Sequence, residues 1–116
     1  MSRLICAAAA LAEGSALRFD VQCEGRRQAA FVLRWRGGVH AYVNRCAHVS
    51  LELDWNPGKF FDASGDWVIC AAHGALYAPE SGECVAGPCV GGRLQPLPVA
   101  EQNQGIYLLL NEGDAQ

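Results

Sequence analysis

Two short stretches of the chain decide its interpretation: Cys46-Ala47-His48 and Cys70-Ala71-Ala72-His73-Gly74. Each places a thiol and an imidazole close together, and positions 49–69 separate the two pairs. A strand pattern precedes each pair, Ala41 to Val43 before the first and Trp67 to Ile69 before the second. Loops at the ends of neighbouring strands can converge, so we expect the four side chains to share one centre.

Thiolates combined with imidazoles are typical of zinc and iron–sulfur sites, and not of magnesium or calcium sites. Cys70 and His73 have the two-residue spacer that is common in tetrahedral zinc sites. A single residue separates Cys46 from His48, which makes it awkward for both side chains to reach one ion and easier to reach two neighbouring metals. On spacing alone, a zinc site and an iron–sulfur cluster both stay open.

Outside these motifs, alternation of apolar and polar residues dominates and predicts an all-β protein. The patterns predict a strand from Leu17 to Gln22 and a second strand from Ala29 to Arg36. Gly37-Gly38 is a signal for a two-residue hairpin turn. The second strand is expected to place on one face Ala29, Phe31, Leu33 and Trp35. The returning strand is expected to place inward Val39, Ala41 and Val43, and on its other face His40 and Tyr42.

Both ends of the chain also predict strands. Arg3 to Ala7 is expected to form a first strand that runs into an alanine-rich turn stopped by Gly14. Leu97 to Glu101 and Ile106 to Leu110 are expected to pair through a turn at Asn103-Gln104-Gly105.

The middle of the chain, about residues 44–92, is rich in Gly, Pro, Asp and Ser and contains both Cys/His pairs. It offers only a short strand at Trp67 to Ile69 and another around Ala75 to Tyr77. We therefore predict a single domain over residues 1–116, in which a small metal-binding subdomain is inserted into a β-base formed by both chain ends.

With these residues in view, the chain resembles the Rieske [2Fe–2S] family, in which two histidines replace two cysteines on one iron. The resemblance extends beyond the two motifs to the approach strand, the second cluster loop, the following turn, the covering loop and the next strand. These segments are Ala41 to Cys46, Cys70 to Tyr77, Pro79 to Gly82, Gly87-Pro88 and Leu94 to Val99.

The resemblance implies a Rieske-like antiparallel β-sandwich or barrel and a [2Fe–2S] cluster held by Cys46, His48, Cys70 and His73. It further implies that the two cysteines hold the buried iron and the two histidines the outer, electron-accepting iron. The sequence departs from the family in a longer spacer between the motifs and in Ala71, where a proline is frequent.

The resemblance also narrows the class of protein. Ring-hydroxylating oxygenases need a second iron held by two histidines and a carboxylate, and His40 is the one histidine left after the cluster. The bc-type class carries a disulfide between the two loops, for which no cysteine is present at 49–51 or 71–72. Ala75 stands where high-potential relatives carry a serine, whereas Tyr77 matches their tyrosine, so a low-to-intermediate potential is expected.

The function expected from the resemblance is that of a ferredoxin, an electron carrier and not itself an enzyme. It would pass single electrons from a flavin-dependent reductase to an oxygenase. Two alternatives stay open: a small subunit resembling that of NAD(P)H nitrite reductase, and a zinc-stabilised interaction module.

Composition limits the possible partners and location. The net charge of −3 and the pI near 5.5, without a basic run, argue against a nucleic-acid partner. The apolar stretch from Leu4 to Ala12 is too short to span a membrane. It faintly resembles a secretory signal, but a first strand is the preferred interpretation, and a cytoplasmic location is expected.

The remaining cysteines, one histidine and three aromatic residues carry weaker expectations. His40 is predicted to be a surface histidine, and Cys6 and Cys23 small core residues. Cys84 and Cys89 are expected to be two separate thiols near the cluster rather than a disulfide bridge. Trp55, Phe60 and Phe61 could equally form a partner-docking patch or cover the cluster.

Overall fold

The computed structural model describes residues 2–23, 25–45, 53, 60–70, 74–87 and 91–109. These residues form ten β-strands and one 3₁₀ turn, Ala8–Ala10, and within them no α-helix occurs. The predicted all-β fold class is confirmed. The strands are β1 (Ser2–Ala7), β2 (Ala16–Cys23), β3 (Arg26–Trp35), β4 (Gly38–Val43), β5 (Val68–Ile69), β6 (Leu76–Tyr77), β7 (Cys84–Ala86), β8 (Pro96–Leu97), β9 (Val99–Gln102) and β10 (Gly105–Leu109).

The strands are arranged in three antiparallel sheets. The terminal sheet has the order β1-β10-β9, and the central sheet has the order β2-β3-β4-β8. The small sheet, β5-β6-β7, is formed by residues that lie between β4 and β8 in the sequence. Pairing of the first strand with the last brings the two ends of the described chain together.

The strand β3 lies at the centre of the packing because both of its faces are buried. Phe31 and Leu33 pack on the side of the small sheet, whereas Val32 packs on the side of the terminal sheet with Leu11 and Ile106. The sequence predicted one buried face for this strand; the second face is buried because the terminal sheet covers it.

One core contains the predicted ligand Cys70, and we call it the cysteine core. Its residues come from β3, β4, the small sheet and the segments beside them, so it joins the central sheet to the small sheet. They are Phe31, Leu33, Tyr42, Leu53, Phe60, Val68, Cys70, Ala75, Tyr77, Cys84 and Leu94.

The hairpin between β3 and β4 turns one residue earlier than the sequence suggested. Its turn residues are Arg36 (φ 50°) and Gly37 (φ 82°), and Gly38 already pairs with Trp35 in the sheet. A type I′ turn needs positive φ at both central residues, and here an arginine accepts that conformation at the first. The predicted turn at Gly37-Gly38 was therefore wrong by one position.

The turn between β9 and β10 is one residue shorter than the predicted Asn103-Gln104-Gly105. Asn103 (φ 50°) and Gln104 (φ 63°) form the turn, and Gly105 is already the first residue of β10. A Cβ at Gly105 would lie 2.9 Å from Cε1 of Tyr107 and 3.0 Å from Cδ1 of Leu4. The glycine therefore makes room for two side chains and does not form the turn.

The predicted first strand is confirmed as β1, followed by the alanine-rich 3₁₀ turn and by Gly14 with φ 75°. Leu11 is 1% exposed in the core, and Ile5, Cys6 and Ala8 pack against it, whereas Leu4 is 55% exposed. Among the described residues, no helix has the length and apolar character needed to cross a membrane.

Candidate metal centre

Of the four predicted ligands, Cys70 lies within the described part of the chain. Cys46, His48 and His73 lie outside the described residues, so their positions as ligands stay a prediction. Among the described residues, no three metal-ligating side chains come together. The local structure can therefore be traced at Cys70 and at the residues that flank the other three.

Cys70 follows β5 directly, as predicted, and its side chain is fully buried. Its backbone N–H donates to the carbonyl oxygen of Ala75 at 2.9 Å, and its own carbonyl accepts from the N–H of Gly74 at 2.7 Å. Gly74 has φ 72°, a conformation that suits glycine. These two bonds close the loop between β5 and β6, so both ends of the segment that contains His73 are fixed.

The chemistry of the surroundings fits a metal-bound thiolate. Cys70 packs in the cysteine core with apolar neighbours that include Phe60, Val68 and Ala75. An anionic sulfur in such surroundings is costly unless it is paired or coordinates a metal. Thiolates with imidazoles form the donor set of a [2Fe–2S] centre with mixed ligation. The residues present therefore fit such a cluster.

The first Cys/His pair is bracketed by a hydrogen bond between two buried residues. The side-chain Oδ1 of Asn44 accepts from the backbone N–H of Leu53 at 2.8 Å. Asn44 is 3% exposed and Leu53 is fully buried in the cysteine core. The two residues that bracket the predicted ligands Cys46 and His48 are thus held together. Asn44 lies in the approach segment that resembles the family, two residues before Cys46, but the sequence predicted no partner for its amide.

Gly87, in the predicted covering loop, packs directly against the second Cys/His loop. A Cβ at Gly87 would lie 2.8 Å from Cα of Ala75, and Gly87 has φ 99°. Both observations require glycine at this position. The following Pro88 lies outside the described residues. The close approach leaves Ala75 fully buried between its own loop and residue 87.

The aromatic residues of the long spacer have different positions. Phe60 is 1% exposed, and its ring stacks on Phe31 with centroids 4.2 Å apart. It is a core residue, which rules out a surface docking role for it. Phe61 is half-buried, with its ring 6.3 Å from that of Trp35. Trp55 lies outside the described residues.

The outer face predicted for β4 is more buried than expected. Tyr42 is 2% exposed, and its hydroxyl donates to the carbonyl of Pro79 at 2.8 Å. Burial raises the pKa of Tyr42 to about 12. The expectation that this side chain faces outward was wrong because the segment at Pro79 covers it.

His40 is half-buried rather than a plain surface residue. It lines a groove of about 460 Å³ together with Glu80, Arg93 and the apolar residues of β8 and β9. Burial lowers the pKa of His40, and the nearby charge of Glu80 opposes that change. A neutral imidazole is therefore favoured there at neutral pH.

The other cysteines are partly described. Cys6 is half-buried against the core, as predicted, and burial raises the pKa of its thiol while Arg34 opposes the change. Cys84 is buried in the cysteine core, and its thiol donates to the carbonyl of Ala86 at 3.3 Å. The side chain of Cys23 and the whole of Cys89 lie outside the described residues, so the question of a bridge stays open.

Comparison with known proteins identifies the family. The model of the Rieske [2Fe-2S] domain matches residues 2–101, and the chain belongs to that family. A Rieske-type [2Fe–2S] cluster is accordingly its cofactor, which overturns the zinc-module alternative. No curated protein sequence matches the chain.

Solved structures confirm the fold. The ferredoxin of carbazole 1,9a-dioxygenase from Nocardioides aromaticivorans IC177 is 23% identical, with a TM-score of 0.74 over 96% of this chain and 99% of that one. The terminal oxygenase of carbazole 1,9a-dioxygenase from Novosphingobium sp. KA1 is 26% identical, also with a TM-score of 0.74. In that case the match covers 96% of this chain and 30% of the oxygenase.

A third similar structure is a complex of reduced oxygenase and oxidized ferredoxin in carbazole 1,9a-dioxygenase. The matching chain is 22% identical, with a TM-score of 0.72 over 97% of this chain and 94% of that one. The chain thus shares its fold with a ferredoxin over nearly the whole length of both proteins, and with an oxygenase over about a third of the oxygenase.

Proposed function

We propose that this chain is a Rieske ferredoxin, which accepts single electrons from a flavin-dependent reductase and passes them to an oxygenase. The observation that carries the proposal is membership in the Rieske family over residues 2–101. It is supported by the match to a ferredoxin over 96% of this chain and 99% of that protein. An oxygenase partner is supported by the neighbour that is a complex of oxygenase and ferredoxin.

The ligands in this proposal are Cys46, His48, Cys70 and His73. When bound, the cluster supplies a one-electron couple, with the histidine-bound iron as the site of reduction. The buried position of Cys70 keeps one thiolate ligand away from water. The closed loop from Cys70 to Ala75 holds the backbone on both sides of His73.

The histidine content of these 116 residues leaves no second, oxygenase-type iron site within them. These 116 residues contain three histidines, of which two are assigned to the cluster. His40 lines the groove beside β8 and β9, whereas Cys70 lies in the cysteine core. A second iron site with two histidines and a carboxylate cannot be assembled from His40 alone.

The first test is the metal content of the purified protein and of its ligand variants. We expect about two iron and about two acid-labile sulfide per chain, with visible absorbance. Cys46→Ala and Cys70→Ala should abolish the cluster, and His48→Ala and His73→Ala should lose or alter it. The matched control is His40→Ala, which should keep it. Stoichiometric zinc without visible absorbance, or cluster loss in His40→Ala but not in His48→Ala, would contradict the assignment.

The second test addresses the partners. Electrons should pass from NADH through a flavin-dependent reductase to this protein, and from its reduced form to an oxygenase, with spectral changes that report each step. Cys46→Ala, which should lack the cluster, serves as the inactive control. Purification as a stable complex with a much larger siroheme protein, together with no turnover in the reductase–oxygenase assay, would favour the nitrite reductase subunit instead.

A further inference from the structure

The side-chain amide of Asn44 is buried at the end of β4. Among the residues that the structure describes, Asn44 is the one polar or charged residue that is buried, at 3% exposure. Burying an amide is unfavourable unless its groups are hydrogen-bonded. The position therefore calls for a specific use of the side chain rather than for apolar packing.

The backbone at Asn44 is held by hydrogen bonds to the segments on either side of β4 in the central sheet. The N–H of Val43 donates to the carbonyl of Gln95 at 2.9 Å, and the N–H of Asn44 donates to the carbonyl of Ala29 at 2.8 Å. The end of β4 is thus tied to β3 on one side and to the segment before β8 on the other. The side chain of Asn44 extends from a rigid support.

The side chain reaches across to a second buried residue. Its Oδ1 accepts from the N–H of Leu53 at 2.8 Å, and a backbone N–H can only donate, so this contact defines the orientation of the amide. Leu53 is fully buried in the cysteine core, which also contains Cys70. One hydrogen bond therefore connects the end of β4 to the core around a predicted ligand.

We propose that Asn44 is a positioning residue for the cluster: it holds together the two ends of the segment that carries Cys46 and His48. The inference rests on the proposed function, since it takes these two residues as ligands. Without the amide oxygen, the N–H of Leu53 loses its partner inside the core, and the ends of the segment gain freedom. Ligands on a less restrained segment should release iron more readily.

The test compares iron release and the spectrum of the cluster among four variants of the holoprotein. Asn44→Ala removes the acceptor, whereas Asn44→Asp keeps an oxygen that can accept from Leu53. Val32→Ala is the matched control, because it opens a buried site on the opposite face of β3. Asn44→Ser is included because its shorter side chain cannot reach Leu53 and is a second way to lose the bond if Asn44→Ala does not fold.

We expect the rate of iron release to a chelator to rise about tenfold in Asn44→Ala and in Asn44→Ser. The electron paramagnetic resonance g-values of the reduced cluster should shift in the same two variants. Asn44→Asp should retain the wild-type g-values and release iron at close to the wild-type rate. Val32→Ala should lower thermal stability without changing either property of the cluster.

Two results would overturn the inference. One is wild-type iron release and g-values in both Asn44→Ala and Asn44→Ser, and the other is equal disturbance in Asn44→Asp and Asn44→Ala. A different result, wild-type protein that binds no iron–sulfur cluster, would instead refute the proposed function on which the inference rests. The measurements on wild-type and variant proteins thus separate the two failures.

Discussion

At the scale of single residues, Ala75 is the position at which we expect a substitution to change the redox potential. Its side chain is fully buried, its carbonyl accepts from the N–H of Cys70, and the backbone of Gly87 approaches from the other side. A donor introduced here would be shielded from water and close to a predicted ligand. Hydrogen bonds to cluster sulfur stabilise the reduced, more negative state and so raise the potential.

We therefore expect Ala75→Ser to raise the reduction potential. A hydrogen bond to a charged acceptor contributes about 1.5–3 kcal/mol. Because only its difference between the two redox states counts, the shift should be several tens of millivolts, at roughly 59 mV per tenfold change for one electron. Protein-film voltammetry measures this directly.

The matched control for that variant is Ala30→Ser. Ala30 is fully buried in β3 but packs with Val21 and Leu108, away from the cysteine core. It adds the same hydroxyl to a buried site without a predicted ligand nearby, so the potential should not change. An unchanged potential in Ala75→Ser with full cluster content would show that residue 75 does not approach the cluster sulfurs.

At the scale of elements, the β3–β4 hairpin is stabilised from outside by a carboxylate. Glu13 accepts from the backbone N–H of Gly37 at 2.9 Å and from that of Arg36 at 2.6 Å. Both hydrogen bonds lower the pKa of the Glu13 carboxyl, the one from Gly37 more than the one from Arg36. The ionised carboxylate thus satisfies the donors of a turn that adopts positive φ at both central residues.

The pH dependence of this interaction has a defined sign. In the folded protein the pKa of Glu13 lies below its ordinary value. The stabilisation that ionised Glu13 provides is therefore complete above the ordinary value, and it is lost as the pH falls through the lower value of the folded protein. The difference in melting temperature between wild type and Glu13→Ala should therefore be largest at neutral pH. Thermal unfolding of both proteins from pH 7 down to pH 3 measures that difference.

Glu83→Ala is the control for the hairpin, because it removes another exposed carboxylate, from a residue that bridges to Arg93 rather than to the turn. Its difference from wild type should change less over the same pH range. A Glu13→Ala difference that stays constant from pH 7 to pH 3 would show that the carboxylate does not stabilise the turn.

At the scale of the whole molecule, Arg34 joins the central sheet to the terminal sheet. Its guanidinium, on β3, donates two hydrogen bonds of 2.9 Å to the carboxylate of Glu101 on β9. The two groups also form an ion pair. The same group donates to the carbonyl of Leu11 at 2.7 Å and to that of Ala8 at 3.3 Å. A single side chain thus connects two sheets and the segment between β1 and β2.

Replacement of Arg34 should weaken the association of the central sheet with the terminal sheet. The metal centre should stay intact. We expect Arg34→Met to lower the free energy of unfolding by about 1.5–3 kcal/mol, since the carbonyls of Leu11 and Ala8 lose a charged donor. Glu101→Gln should cost less, because the guanidinium keeps both carbonyls. Urea denaturation gives the two values, and iron analysis gives the cluster content. Equal losses in the two variants would contradict a role for the carbonyl contacts.

Much of the fold could be predicted because strand signals are local. Side chains in a strand alternate between two faces, so β2, β3, β5 and β6 were evident from neighbouring residues alone. The β3–β4 turn was displaced by one residue and the β9–β10 turn was one residue shorter than predicted, because glycine can mark either positive φ or a lack of space. Gly105 is the second case, because a Cβ there would approach the side chains of Tyr107 and Leu4 too closely.

The sequence by itself determined the all-β class and the family, since spaced Cys/His pairs and alternating residues are local patterns. The tertiary structure alone decided which groups surround the candidate centre. The partner of Tyr42 is 37 residues away, and that of the Asn44 amide is 9 residues away. Whether such groups are buried or exposed depends on how sheets pack, and packing brings together residues that no local pattern relates.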